Sequence, residues 1–129
     1  MPSADHPTIV LCVACSPVVF DSLNHAFRHS KLHVLSAATR DKGVAICVAE
    51  PIAVAVLDGE SIRGQECSVA QSLKMVRPSL PIILLEERGR LSNIPEGINA
   101  VVPLNAPDQL LRKIEELLNP GGTASRAAG

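Results

Sequence analysis

Short apolar runs alternate with longer amphipathic segments along most of the chain. The runs are rich in β-branched and aliphatic residues, which is typical of strands that are covered on both faces of a parallel sheet. The segments between them carry apolar residues every three or four positions, as amphipathic helices do. The predicted strands are TIVLCVA, LHVLSA, IAVAVL, PIILL and NAVVPL.

Residues that commonly start or stop helices stand at the ends of the amphipathic segments. Ser16 can cap the first helix, with Pro17 at its first position, and Thr39 can cap the second. The third helix should end before Pro78, and the last one before the breaker-rich tail NPGG. Strands that alternate with helices form βαβ units, whose right-handed crossovers place helices on both faces of a parallel sheet. The pattern therefore predicts a three-layer α/β sandwich.

The connection after the fourth predicted strand departs from this rhythm. Only ERGRLSNIPE separates PIILLE from GINAVVP, and it contains Gly89 and Pro95. This length fits a loop or one turn of helix, but not a full crossover helix. We therefore expect the fourth helix to be shortened or lost. Leu91 and Ile94, in the same segment, would then be apolar side chains without a covering element.

Length and composition fit a single globular domain. The chain has 129 residues, of which 47% are hydrophobic and 19% charged. We predict one domain over residues 8–118, with a disordered segment at 1–7 and a flexible tail at 119–129. The formal net charge is −1 and only two aromatic residues occur, so neither nucleic acid nor an anionic membrane is an expected partner.

The cysteines allow two interpretations. The start of the chain has no basic segment followed by an apolar one, and no apolar run could span a bilayer, so we expect a cytoplasmic protein with reduced thiols. Cys12 and Cys15 nevertheless form a CxxC motif where the first strand meets the first helix, and a helix N-terminus favours the thiolate. The pair is either a redox-active dithiol or two small apolar side chains at the sheet edge.

A single carboxylate, Asp58, ends the third predicted strand and is followed by glycine. It could be a phosphate acceptor, a metal ligand or the first solvated residue of a loop. In open α/β folds, ligands bind where the carboxyl ends of the strands meet. The residues that end the other strands therefore decide between these roles.

In order and spacing, the segments resemble the receiver domain of response regulators, the CheY-like fold. GVAICVAE with PIAVAVLD resembles its second helix and third strand, and RPSLPIILL resembles its passage from third helix to fourth strand. GINAVVPL with PDQLLRKIEELL resembles its fifth strand and last helix. The resemblance implies a flavodoxin-like, five-stranded parallel sheet in the order 2-1-3-4-5 with helices on both faces, over residues 8–118.

The resemblance also implies that Asp58 occupies the phosphoacceptor position, but the groups that assist phosphoryl transfer are replaced. Ala14 and Cys15 stand where the family has an acid pair, and Glu86 stands where it has a hydroxyl residue. Leu104 replaces the family's lysine, and Val101 its aromatic switch residue. Magnesium binds hard oxygen ligands, which alanine and cysteine do not supply, so we expect the family's magnesium site to be lost and no cofactor to be bound. A second acid beside the acceptor would repel a phosphoryl group and raise the pKa of one of the two carboxyl groups.

We therefore predict a stand-alone pseudo-receiver of two-component or phosphorelay signalling. It would act as a phosphorylation-independent protein-interaction module and not as an enzyme. Its partner would be a histidine kinase, another signalling protein or a second copy of the chain, bound through Leu91, Ile94 and Val101. The alternatives are a functional receiver phosphorylated on Asp58 and a redox protein that uses the CxxC motif.

Overall fold

The computed structural model describes residues 8–28, 30–86, 94–104 and 106–118. Strands and helices alternate along this part of the chain, except that no helix is described between the fourth and fifth strands. Every predicted strand and helix outside this short connection is present. The elements are β1 (Thr8–Val13), α1 (Pro17–Ala26), β2 (Leu32–Ala37), α2 (Arg40–Ala49), β3 (Ile52–Asp58), α3 (Glu66–Val76), β4 (Ile82–Glu86), β5 (Ala100–Pro103) and α4 (Pro107–Leu118).

Side-chain caps fix where the first two helices begin. The Ser16 hydroxyl accepts a hydrogen bond from the Val19 amide at 3.3 Å, and Pro17 takes the first helical position. The Thr39 hydroxyl accepts from the Lys42 amide at 3.2 Å. Each cap supplies an acceptor to an amide that has no partner inside its helix. Both predicted caps are confirmed.

The five strands form one parallel sheet in the order β2-β1-β3-β4-β5, as predicted. β1 lies between β2 and β3, and its Val13 pairs with Ala37 of β2 and with Leu57 of β3. On the other side of β3, Asp58 pairs with Leu85 of β4. The carboxyl ends of neighbouring strands are therefore level with one another and form one edge of the sheet.

Apolar side chains project from both faces of the sheet, which explains why the strand sequences are continuously apolar. Along β1, Leu11 and Val13 face the layer of α2 and α3, whereas Val10 and Cys12 face the layer of α1 and α4. Each layer closes a separate half of the core. None of the helices within the described ranges is long and apolar enough to cross a membrane.

The short connection between β4 and β5 is described only in part. Residues 94–99 contain no helix, and Gly97 in this stretch adopts a left-handed backbone with φ 89°. The helix that was predicted to be shortened or lost between β4 and β5 would fall mainly in residues 87–93, which lie outside the described residues. The predicted mobile ends, 1–7 and 119–129, also lie outside them.

Candidate functional site

The carboxyl edge of the sheet brings the sequence-predicted site residues together. Asp58 is the last residue of β3, Glu86 the last of β4, and Leu104 directly follows β5. Ala14 directly follows β1, one residue beyond the pair formed by Val13 and Leu57. The edge therefore brings together the four positions predicted from the resemblance to correspond to acid, acceptor, hydroxyl and lysine groups.

Asp58 is buried and accepts three hydrogen bonds. Only 1% of its surface is exposed, and it is the single buried charged residue of the described chain. Its Oδ2 accepts hydrogen bonds from the Ser16 amide at 3.1 Å and from the Ser61 hydroxyl at 3.2 Å, and its Oδ1 accepts from the Glu60 amide at 3.1 Å. A buried carboxylate is tolerated when donors surround it in this way. Asp58 thus ties the start of α1 to the loop after β3.

No basic side chain of the described structure forms a hydrogen bond or ion pair with Asp58 that could neutralise an incoming phosphoryl group. At the family's lysine position, the half-buried Leu104 side chain packs against the α1–α4 layer, and its amide donates to the Glu86 carbonyl at 2.7 Å. The exposed guanidinium of Arg63 pairs with Glu60 at 3.0 Å. Transfer of a phosphoryl group needs positive charge beside the acceptor, which neither group provides here.

A disulfide occupies the turn after β1. Cys12 and Cys15 are bonded, with their Cα atoms 6.0 Å apart. Between them, Ala14 has a left-handed backbone with φ 58°, and its amide donates to the Ala37 carbonyl at 2.7 Å. The expectation of reduced thiols is therefore wrong for this pair. Spacing alone could not decide it, because the pairing depends on a backbone turn that alanine rarely adopts.

The described residues contain no group of three histidine, cysteine, aspartate or glutamate side chains placed to hold a metal ion. Asp58 is the only acid among the three residues Ala14, Cys15 and Asp58, and both its oxygens already accept hydrogen bonds. The side chains present at this edge do not fit magnesium, which requires several oxygen ligands in octahedral geometry. The loss of the magnesium site stays a prediction.

Glu86 and Asp58 end neighbouring strands but lie on opposite faces of the sheet. Strand alternation places Glu86 on the side of Leu84, which faces α2 and α3, and Asp58 on the side of Val56, which faces α1 and α4. A Cβ atom added to Gly59 would meet the Glu86 carboxylate. The Glu86 side chain therefore lies over the backbone of Gly59, towards the start of α3.

This position raises the pKa of Glu86 above its ordinary value. Burial is the main cause, followed by the negative charge of Glu66, and the charges of Glu60 and Asp58 act in the same direction. Arg63 lowers the pKa and offsets part of this effect. As expected, one of the two acids, Glu86, has a raised pKa. Asp58, however, makes the smallest of the contributions to this shift.

We expect Glu86→Gln to flatten the pH dependence of stability. Because folding raises the pKa of Glu86, the wild type is relatively stabilised below the ordinary glutamate pKa and loses this stability as pH rises through the raised value. At neutral pH the variant should be more stable by about 0.5 kcal/mol, as expected when a partly buried charge with acidic neighbours is removed from a half-exposed site. Urea unfolding across this pH range measures the difference.

The matched control is Glu115→Gln, which neutralises an exposed glutamate on α4. It should leave the slope of stability against pH unchanged across the same range. A Glu86→Gln variant with the wild-type slope would contradict the assigned cause of the raised pKa.

The predicted interaction residues have different environments. Ile94 is 55% exposed, whereas Val101 is half-buried and packs against the α2–α3 layer. Leu91 lies outside the described residues. An open cleft of about 290 Å³ lies between α3 and the loop before β5, and the exposed Met75 lines it. Of the two described residues, only Ile94 is therefore well exposed, and the proposed surface stays a prediction.

Sequence reasoning missed two residues of this edge and one exposed residue near the far end of α3. Ser16 and Ser61 donate to Asp58, and Met75 exposes its side chain on α3. The signal for Ser61 was its place three residues after Asp58, where a turn returns the chain to the carboxylate. Met75 could have been recognised because it lies off the buried stripe of its helix.

Comparisons with known proteins identify the fold. No family model matches the chain, and no curated protein sequence is detectably similar. Solved structures match it closely in shape. A CheY-like response regulator receiver domain protein from Methanospirillum hungatei JF-1 has a TM-score of 0.75 at 22% identity, covering 92% of this chain and 98% of that one.

Two further structures agree with this match. The signal receiver domain of an HD domain-containing protein from Pseudomonas fluorescens Pf-5 has a TM-score of 0.76 at 15% identity, covering 91% of this chain and 98% of that one. Chemotaxis protein CheY4 of Vibrio cholerae has a TM-score of 0.72 at 19% identity, covering 87% and 99%. The chain has the fold of response regulator receiver domains over nearly the whole length of its structural neighbours.

Proposed function

We propose that this domain is a receiver-like signalling module that binds a protein partner without phosphorylation of Asp58. It would act as a binding module and not as an enzyme. The proposal takes its signalling role from the structural neighbours, which include response regulator receiver domains and a chemotaxis protein. Independence of phosphorylation is proposed from the chemistry of this chain's own carboxyl edge.

The observation that carries the proposal is the hydrogen bonding of Asp58. An acceptor carboxylate needs a free oxygen lone pair that points at the phosphorus atom, in line with the leaving group. In Asp58, three of about four acceptor sites are occupied by Ser16, Glu60 and Ser61. The residue also has almost no exposed surface from which a phosphodonor could approach. This arrangement favours a structural role for the carboxylate.

The neighbouring positions support the same proposal. Ala14 and Cys15 supply no carboxylate beside Asp58, and Leu104 supplies no ammonium group. At these positions no cation would offset the charge that develops on a transferring phosphoryl group, and Glu86 adds an acid to the same edge. Binding would rest on exposed apolar residues, among which we single out Ile94 and Met75 on the described surface. The partner would be a histidine kinase, another signalling protein or a second copy of the chain.

We expect no phosphoryl adduct when the protein is incubated with a small phosphodonor, such as acetyl phosphate, and magnesium. Intact mass spectrometry at neutral pH measures the modified fraction. A receiver domain that carries the full set of acids, hydroxyl and lysine serves as the positive control in the same buffer. Asp58→Asn serves as the negative control for the site.

An adduct that forms on the wild type and is absent from Asp58→Asn would contradict the proposal and favour the functional phosphoacceptor. An adduct of equal extent in the wild type and in Asp58→Asn would mark reaction at another nucleophile, with Asp58 unmodified as proposed, whereas a smaller extent in Asp58→Asn would contradict the proposal.

A further inference from the structure

The turn between β1 and α1 carries a disulfide that the proposed function does not use. In an extended strand, the Cα atoms of residues three apart are separated by about 10 Å. Here the left-handed backbone of Ala14 turns the chain back, so that the Cα atoms of Cys12 and Cys15 are 6.0 Å apart. This separation lies in the range that a disulfide requires. The backbone itself therefore brings the two sulfur atoms together.

The two cysteines differ in access. Cys12 has no exposed surface and is packed into the α1–α4 layer of the core. Cys15 is only partly buried and directly precedes Ser16, the cap of α1. An attacking thiolate must approach one sulfur of a disulfide from outside the protein. Only Cys15 offers such an approach.

The pair is separated from the other two cysteines. Cys47 is buried on α2, and Cys67 is exposed on α3. Both helices cover the opposite face of the sheet from the one on which Cys12 lies. The sheet therefore stands between the pair and the remaining thiols, so exchange with an external thiol is the available route.

We propose that Cys12 and Cys15 form a redox-active pair that exchanges its disulfide with an external dithiol. A thiolate of the dithiol attacks Sγ of Cys15, the bond between Cys15 and Cys12 breaks, and its electron pair passes to Sγ of Cys12, which takes a proton. The second thiolate of the dithiol then attacks its own sulfur in the mixed disulfide. Cys15 leaves as a thiolate and is protonated. The protein gains two electrons and two protons, and the dithiol becomes a disulfide.

The redox state of the pair is connected to Asp58. Ser16 directly follows Cys15, and its amide donates to Oδ2 of Asp58 at 3.1 Å. The disulfide restrains the turn that aims this amide. Reduction removes the restraint and allows Ala14 to leave its left-handed conformation, which shifts the start of α1 relative to Asp58. The pair thereby changes the same edge of the sheet without any phosphoryl chemistry.

Redox titration tests the proposal in a Cys67→Ser background, which removes the exposed thiol. The native protein is equilibrated without oxygen in graded ratios of reduced to oxidised dithiothreitol, or of glutathione, quenched in acid, and alkylated after unfolding. Intact mass then counts one alkyl group on the oxidised form, at Cys47, and three on the reduced form. We expect one two-electron transition in dithiothreitol. The dithiothreitol arm reports exchange with a dithiol, and the glutathione arm reports exchange with a monothiol.

Two results would overturn the redox role. Three alkyl groups at every ratio would show that the disulfide does not form, and one alkyl group even in excess dithiothreitol would show a disulfide that does not exchange. Single variants test the entry point. In Cys12→Ser, the remaining Cys15 should react with oxidised glutathione at least about tenfold faster than Cys12 does in Cys15→Ser. Equal rates would overturn the assignment of Cys15 as the attacked sulfur.

Amide NMR tests the connection to Asp58. The oxidised and reduced forms should differ in the amide shifts of Ser16, Glu60 and Ser61, and agree along α4. The double variant Cys12→Ala/Cys15→Ala should be folded, by circular dichroism, and should match the reduced form at these amides. Identical shifts of Ser16 and Glu60 in both redox states would overturn the connection while leaving the redox titration intact.

Discussion

Replacing Asp58 by alanine should lower the free energy of unfolding by about 3 kcal/mol. The substitution removes the acceptor of the Ser16 and Glu60 amides and of the Ser61 hydroxyl. The hydroxyl can rotate to another partner, but the two amides are fixed by the backbone, and each amide without an acceptor costs roughly 1–3 kcal/mol. Chemical denaturation with urea, followed by circular dichroism, measures the loss.

The sign of this change separates a structural carboxylate from a catalytic one. Residues that serve catalysis are often strained or repelled in the folded state, so removing them commonly stabilises a protein. Asp58→Asn should give an intermediate loss of about 1.5 kcal/mol, because the amide side chain retains one oxygen but turns an NH₂ group towards the remaining donors. A gain of stability in either variant would contradict the structural role that we assign to Asp58.

Glu60→Ala is the matched control, since it also removes one negative charge from the loop after β3. Its carboxylate makes only an exposed ion pair with Arg63. The expected change is below about 0.5 kcal/mol. A loss as large as that of Asp58→Ala would show that net charge in this loop, and not hydrogen bonding, sets the stability.

The architecture could be predicted from the sequence because it follows from patterns among residues that are close together in the chain. Apolar runs of strand length, helical stripes and the caps at Ser16 and Thr39 each depend on residues close in the chain. Alternation along the strands could also have placed Asp58 and Glu86 on opposite faces, by counting from the apolar positions before them. The prediction placed both residues at one edge of the sheet but did not consider on which face of the sheet each side chain lies.

The chemistry of the edge was less predictable because its contacts join distant parts of the chain. The Ser16 amide that binds Asp58 lies 42 residues away in sequence, and no local pattern indicates its direction. The disulfide depends on the positive φ of Ala14, and alanine rarely adopts a positive φ. The sequence therefore indicated which residues meet at the edge, but not which hydrogen bonds and covalent bonds they form.

Replacing Gly59 by alanine should lower the free energy of unfolding by about 2–3 kcal/mol. The Gly59 amide donates to the Leu85 carbonyl at 2.7 Å, so β3 and β4 approach each other closely where both strands end. A Cβ atom at this position would overlap the Leu85 carbonyl oxygen and the Glu86 carboxylate. The Glu86 side chain can move, but the carbonyl belongs to a paired strand, so the sheet edge itself must shift.

Two further variants separate this steric cause from others. Gly64→Ala tests the effect of backbone conformation alone, because Gly64 has φ 86° and open space around its Cα, and its cost should be about 1 kcal/mol. The double variant Gly59→Ala/Glu86→Ala removes the overlap with the side chain and the small cost of the Glu86 charge, but not the overlap with the carbonyl, so most of the loss should remain. Urea unfolding of all four proteins, including the wild type, measures these differences. Full recovery in the double variant would show that the Glu86 carboxylate, and not the backbone of β4, requires glycine at position 59.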